Sequence, residues 1–389
     1  MAWKVGTLMS ARREFVELAL AEGANIAELC RRFGVSRKTG HKWLARYRAE
    51  GEAGLADRSR RPRNSPERID TEMEGLIVQL RQQNPAWGGR KLRRQLLNRG
   101  LEDVPAGSTI TEVLRRHGLL ETDGRPAPAP FKRFERERPN ELWQMDFKGH
   151  VGLLNGGRCH PLTVLDDHSR FSVVLQACGN EQGQTVQSVL VVAFRRYGLP
   201  EAILTDNGSP WGTDWQSPWT PLTVWLLKLG VRVAHGRPYH PQTQGKAERF
   251  HRTFKAEVLQ GRQFRDLSES QTRFDDWRTV YNFERPHEAL EMGVPGHQYQ
   301  PSPRPYPERL PEIEFGPTDH VRKVQQGGSL SFHGQTWHMS KAFVGERVAL
   351  RPTLRDGVWE VWFSRACLGE LNLREETDGR RVVRRRERE

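Results

Sequence analysis

Residues 121–139, "ETDGRPAPAPFKRFERERP", divide two kinds of sequence. The stretch is rich in proline and charge, so it suits neither a helix nor a sheet ladder and reads as an interdomain linker. Before it, apolar residues recur at helical spacing; after it, short apolar runs follow one another in strand fashion. A second Pro-rich stretch, 295–318, marks another boundary. A chain of 389 residues so divided is expected to be multidomain.

The charge follows the same division. Formal net charge is +13, and residues 1–140 hold 28 Lys and Arg against 18 Asp and Glu, a net of +10. The remaining 249 residues hold 33 against 30, a net of +3. An N-terminal third of this kind suits a polyanion. Nucleic acid ranks ahead of a membrane surface, because no basic amphipathic segment with a broad apolar face stands out. No apolar run approaches a membrane span, and the N-terminus lacks the apolar stretch of a signal peptide. Cys30, Cys159, Cys178 and Cys367 form no C-x-x-C pair, which argues against a zinc ribbon and a disulfide framework. A reducing cytoplasm is expected.

Residues 1–56 read as a helix-turn-helix domain. Ile26, Leu29, Cys30 and Phe33 lie at helical spacing, Gly34 ends that helix, and Ser36 is placed to cap the next. The second helix presents Arg37, Lys38, His41, Lys42 and Arg46 to DNA, while Trp43, Leu44 and Tyr47 pack inward. A helical hairpin with a merely solvated basic face is the plainer alternative. Residues 57–66, "DRSRRPRNSP", form a basic linker whose Arg60, Arg61 and Arg63 suit a minor groove. Residues 67–120 read as a second helical DNA-binding domain, related to helix-turn-helix and winged-helix units. There Ser108 caps a helix with Ile110, Val113 and Leu114 on one face and Arg115 and Arg116 on the other.

Beyond the linker, "WQMDF", "PLTVLDD" and "RFSVVLQA" read as three strands, "TVQSVLVVAFRRYG" as a helix, and "EAILTDNG" and "VRVAHG" as further strands. Long helices follow, so residues 140–294 form an α/β domain with a mixed sheet. Alternation puts Trp143, Met145 and Phe147 on one face of the first strand and Gln144, Asp146 and Lys148 on the other. Residues 319–375, with an Asp356-Gly357 turn, suggest a small β-barrel, and 376–389 a disordered basic tail.

Three acids carry the chemistry. Singly, each has an ordinary explanation: Asp146 on a solvated sheet face, Asp206 in an Asx-turn, Glu248 at a helix start favoured by the dipole. Together, a strand Asp, a strand-end Asp and a helix-start Glu can converge on one cleft. Such acids repel unless divalent cations neutralise them, and hard oxygen ligands select Mg²⁺ or Mn²⁺. Two such ions serve an in-line phosphoryl displacement. The helix from about residue 243 has Ala247, Phe250, Phe254 and Val258 as its buried stripe, with Glu248, Arg252 and Lys255 on a neighbouring face. Lys246, Arg252 and Lys255 are then candidate DNA contacts. The plainer reading pairs Glu248 with Arg252 as a surface ion pair.

"WQMDF", "LTDNGSP" and "YHPQTQGKAERFHRTFK" resemble the three signature blocks of DDE insertion-sequence transposases with a retroviral-integrase-like core, most of all the insertion sequence 481 family. The likeness covers nearly the whole chain. It implies a ribonuclease-H-like core, a metal-binding triad of Asp146, Asp206 and Glu248, and a contact of Lys255 with terminal DNA. It further implies 3′-end cleavage at terminal inverted repeats and strand transfer into target DNA, by a dimer or larger assembly on paired ends. A regulator that keeps the core as a scaffold and a metal nuclease that does not join are the alternatives. The chain departs from the pattern in the 42 positions from Asp206 to Glu248, longer than the family's usual gap. The surplus coincides with "SPWGTDWQSPWTPLTVW", where Trp211, Trp215 and Trp219 pack against the domain or, less readily, stack on splayed bases. Asp166 and Asp167 read as turn residues, and His235, His240 and His251 as structural or phosphate-contacting.

Overall fold

The computed structural model describes residues 8–58, 69–120, 135–212, 219–236, 245–375 and 381–384. Arg60, Arg61, Arg63, Trp215 and His240 lie outside them, as do most of the 121–139 linker and the tail beyond 384. The chain divides into two compact units, Met1–Arg68 and Ile69–Glu389.

In the first unit, α1 (Leu8–Leu20), α2 (Ile26–Arg32) and α3 (Arg37–Glu50) enclose Phe15, Val16, Cys30, Trp43 and Leu44. The turn between α2 and α3 follows from its residues. Gly34 takes a left-handed φ of 66°, and the Gly34 and Val35 amides donate to Arg31 O and Cys30 O, closing the carbonyls of α2. Ser36 Oγ then accepts from Thr39 N at 3.1 Å and caps α3. Gly40 is where α3 crosses the others, since a Cβ there would stand 2.5 Å from Cys30 Sγ.

The second unit begins with α4 (Thr71–Gln83), α5 (Gly89–Asn98) and α6 (Gly107–Arg116) around Ile77, Leu80, Leu92, Leu96, Ile110, Val113 and Leu114. Helix α6 starts two residues earlier than expected. Ala106 is its N-cap and makes no side-chain cap, so Ser108 lies inside the first turn instead of capping it.

The central sheet runs β4 (Ser172–Cys178), β3 (Arg158–Asp166), β1 (Trp143–Phe147), β5 (Ala202–Thr205), β6 (Arg232–His235), with the short β2 (Val151–Gly152) paired to β3. The β4–β3–β1 pairs are antiparallel; β1–β5 and β5–β6 are parallel. Helices α7 (Gly183–Tyr197) and α8 (Pro221–Lys228) cover one face through Trp143, Met145, Leu190, Phe194 and Trp225. The other face is covered by α9 (Gly245–Phe254), the π-helical turn Lys255–Leu259 and α10 (Leu267–Phe283), through Leu165, Leu175, Phe250, Phe254 and Phe274. Ala247, Phe250, Phe254 and Val258 are all buried, as their spacing predicts.

The 295–318 stretch is no free tether in its first half. Tyr299 stacks on Phe171 with centroids 4.2 Å apart, and the Arg304 guanidinium donates to the carbonyls of Pro200, Leu229 and Gly230. Beyond it lies a β-rich region. Strands β7 (His320–Lys323), β10 (Arg347–Pro352), β11 (Val358–Phe363) and β12 (Ala366–Asn372) form an antiparallel sheet ordered β12-β11-β10-β7. Strands β8 (Ser329–Phe332) and β9 (Gln335–His338) form a hairpin, and residues 381–384, within the stretch expected to be a disordered tail, bridge it to the sheet through His338–Val382 and Glu370–Arg384. No pairing among the described residues closes these into the expected barrel. No described helix is long and apolar enough to cross a membrane.

Candidate active site

The parallel register pairs Gln144 with Leu204, and two residues further along both strands come Asp146 and Asp206. Neighbouring strands lie about 4.8 Å apart, so these two acids stand side by side at the carboxyl ends of β1 and β5. Their electrostatics show it. Burial, and then the charge of Asp206, push the Asp146 carboxyl up to about 7, against a bond from the Phe147 amide that favours its charged form. The Asp206 carboxyl is raised too, chiefly by loss of water, although its residue is exposed. Asp206 Oδ1 also accepts from Gly208 N at 3.1 Å, so the Asx-turn is present beside any further role.

Glu248 lies exposed in the first turn of α9, directly after residues 237–244, which are outside the described set. Among the described residues, no three His, Cys, Asp or Glu side chains gather closely enough to hold a metal ion. The structure thus joins Asp146 to Asp206 and does not complete a three-acid cluster with Glu248. The donor set of the pair fits Mg²⁺ or Mn²⁺: two hard carboxylates whose mutual repulsion a divalent cation would relieve.

The face of β1 expected to be polar and solvated is covered by α9. Gln144 is buried, its Oε1 accepting from Ala247 N at 3.1 Å and its Nε2 donating to Asp167 Oδ1 at 2.8 Å. Asp166 and Asp167 close the turn after β3, as expected, yet both are fully buried. Asp166 accepts from Asn140 N, Ser169 N and Ser169 Oγ, and Asp167 from Arg136 N. Lys246 donates to Asp167 Oδ2 at 2.6 Å and its side chain is only 17% exposed. Here the ammonium expected among the DNA contacts is paired inside the protein.

His251, one turn after Glu248, is buried against the same strand. Thr163, opposite Asp146 on β3, gives its one hydroxyl proton to Asp146 O at 2.9 Å. His251 Nε2 stands 2.8 Å from that hydroxyl and must therefore be the donor. Its Nδ1 lone pair then faces Asp146 Oδ2 at 3.8 Å. Burial, followed by Lys148, lowers the imidazole to about 4.

The other candidates fall on several surfaces. Arg37, Lys38, His41 and Lys42 are exposed on α3; Arg46 is half-buried with its guanidinium 5.1 Å from the Trp43 ring. Arg115 pairs with Glu112, and Arg116 lies 3.3 Å from Glu74. Arg252 on α9 and Lys255 in the π-helical turn that follows are exposed, as is Glu248. Trp211 is buried and stacks on Phe147, and Trp219 meets Phe343 edge-on, so both pack within the protein. Sequence reasoning missed Glu181, whose charge raises both Asp146 and Asp206 and whose Oε1 is 2.8 Å from His160 Nδ1. Its only local signal was an acid between two glycines just before a helix.

Comparison with known proteins gives this arrangement its context. Models of a helix-turn-helix domain and a homeodomain-like domain match residues 11–63 and 39–114. Two integrase core domain models match 136–241 and 229–295, and the IS481 family transposase C-terminal domain matches 319–379. The chain is 28% identical over 271 residues to an insertion element IS476 protein of Xanthomonas euvesicatoria, covering 69% of this chain and 76% of that one. It is 28% identical over 285 residues to an IS407 protein of Burkholderia multivorans, covering 71% and 92%. Among solved structures, the simian T-cell lymphotropic virus intasome in complex with a PP2A regulatory subunit aligns at 16% identity and a TM-score of 0.34, over 74% of this chain and 96% of that one. An integrase core behind helix-turn-helix units supports a polynucleotidyl transferase. With its matching C-terminal domain and its insertion-element relatives, the chain is similar to the IS481 family of insertion-sequence transposases.

Proposed function

We propose that this transposase cuts and joins DNA ends at Asp146, Asp206 and Glu248, with Mg²⁺ or Mn²⁺ as cofactor, two ions per site. The observation that carries the reading is the Asp146–Asp206 pair at the ends of adjacent parallel strands, each carboxyl raised from its ordinary value. When bound, the metal would lower the charge on the scissile phosphate and activate a water or 3′-hydroxyl. Asp146 and Asp206 would hold it from β1 and β5, and Glu248 from α9. Arg252 and Lys255, exposed beside Glu248, would grip phosphates flanking the cut. The exposed cations of α3 would read the terminal inverted repeat, with residues 69–120 as a second DNA-binding unit. Residues 140–294 are the catalytic domain in this reading, and 319–375 a small β-domain whose barrel would be completed outside the ladders described. Pairing two ends requires a dimer or a larger assembly on DNA.

The test uses labelled DNA from the gene's own flanks, Mg²⁺ or Mn²⁺, and the wild type beside Asp146→Asn and Glu248→Gln. Metal-dependent nicking and joining by the wild type, reduced at least ~10³-fold in both variants, is the expected outcome. Nicking without joining would favour a nuclease. Repeat binding with no cleavage by any protein would favour a regulator. Equal cleavage by all three would place the active site elsewhere.

A further inference from the structure

Glu248 is the one acid of the triad carried on a helix rather than a sheet strand, and it must be brought towards two carboxylates that repel it. We infer that Gln144 and the Thr163–His251 pair are positioning residues that fix the register and rotation of α9 on β1 and β3, and so set the place from which Glu248 would join Asp146 and Asp206 on a metal ion; this rests on the catalytic reading above.

The geometry is a bracket around one helical turn. Ala247 is the third residue of α9, where an amide has no acceptor within the helix. Its N–H is taken by Gln144 Oε1 at 3.1 Å, two residues before Asp146 on β1. Gln144 cannot swing away, because its Nε2 donates to Asp167 Oδ1 while Lys246 Nζ, from the same turn of α9, holds Asp167 Oδ2. On the far side of Glu248, His251 Nε2 donates to Thr163 Oγ1, which donates in turn to the backbone oxygen of Asp146 itself. Thus the residues at 247 and 251 are both tied to the Asp146 strand or to its register partner. Glu248 lies between the ties and is itself exposed. Apolar burial of Phe250 and Phe254 presses α9 onto the sheet but leaves sliding and rotation less constrained. The directional bonds set register and rotation, which is what a metal ligand requires.

The experiment uses the full chain. Mn²⁺ binding is followed by the electron paramagnetic resonance signal of the free ion, alongside thermal unfolding and binding of terminal-repeat DNA. The variants are Asp146→Asn, Gln144→Ala, Thr163→Val, His251→Leu and His251→Gln, the last restoring a side-chain N–H donor. Weakening of Mn²⁺ binding by ~10-fold or more is expected for Gln144→Ala, Thr163→Val and His251→Leu. Their repeat binding should stay at the wild-type level and their unfolding midpoints near it, and His251→Gln should recover most of the loss. The half-saturating Mn²⁺ for nicking should rise with the binding constant. Wild-type Mn²⁺ binding in the three variants would overturn the inference. So would losses that merely follow lowered unfolding midpoints without recovery in His251→Gln, because that is what a purely structural role gives. If Asp146→Asn binds Mn²⁺ as the wild type does, the catalytic reading fails, and the inference with it.

Discussion

At the scale of single residues, burial decides what a titratable group does. His287 lies in the segment after α10, its Nδ1 accepting from Ala289 N, and burial followed by the charge of Arg285 lowers it to about 3. Its ordinary value is 6.5, so below that pH the unfolded chain takes up a proton that the folded chain refuses. The stabilisation from neutral His287 is therefore complete above about 6.5 and lost progressively as pH falls towards 3. Melting curves should show a midpoint that drops through this window, and His287→Gln should flatten part of the drop. An unchanged slope in that variant would mean that His287 is solvated. The same contrast separates Lys246 from Lys255. Both are cations of one helical segment, yet one is folded onto Asp167 and the other is exposed. Nothing in the identity of either residue announces that difference.

At the scale of elements, local patterning was largely legible. The stripe on α9 follows from spacing alone, as does the α2–α3 turn from Gly34 and Ser36. Less legible was the tight contact of α5 with α6. A Cβ on Gly89 would stand 2.2 Å from the Gly107 carbonyl oxygen and 2.4 Å from Thr111 Oγ1, so only hydrogen fits between these helices. Gly89→Ala should therefore destabilise the helical module by ~1–3 kcal/mol, despite the better intrinsic helix propensity of alanine. Hydrogen exchange across α5 and α6 would measure it; slower exchange would show that the helices can part at no cost. Sequence could not reveal this contact, because a glycine required by a neighbour looks the same as one tolerated by solvent.

At the scale of the whole second unit, α8 serves two cores at once. Leu222, Trp225, Leu226 and Leu229 at its end belong to the cluster under the central sheet, while Val224 and Leu227 join Phe343, Phe363 and Leu330 of the C-terminal β-region. Lys228 adds an ion pair to Glu346 at 2.6 Å. The Trp-rich surplus between Asp206 and Glu248 runs into this helix, and Trp211 anchors it to β1 at one end while Trp219 meets Phe343 at the other. Phe343→Ala removes a fully buried ring and should cost ~3–5 kcal/mol. Hydrogen exchange should then quicken in α8 as well as in β8 and β9. A change confined to residues 319–384 would mean that the β-region and the integrase core unfold independently.

What the sequence determined by itself was the order of elements, the faces they present and the succession of the three acids, since helical and strand periods are written into neighbouring residues. The tertiary structure alone decided what covers each face. It buried Gln144 and Asp167 under α9 and Asp166 beside Asn140 and Ser169, laid Tyr299 and Arg304 along the core, and left the C-terminal strands in an open sheet and a hairpin. These outcomes depend on partners up to 160 residues away, as with the Asn140 side chain that donates to Gln300 O. A polar residue on a strand reads as solvated until a distant helix supplies its hydrogen bonds, and burial is then favourable only because every bond is met.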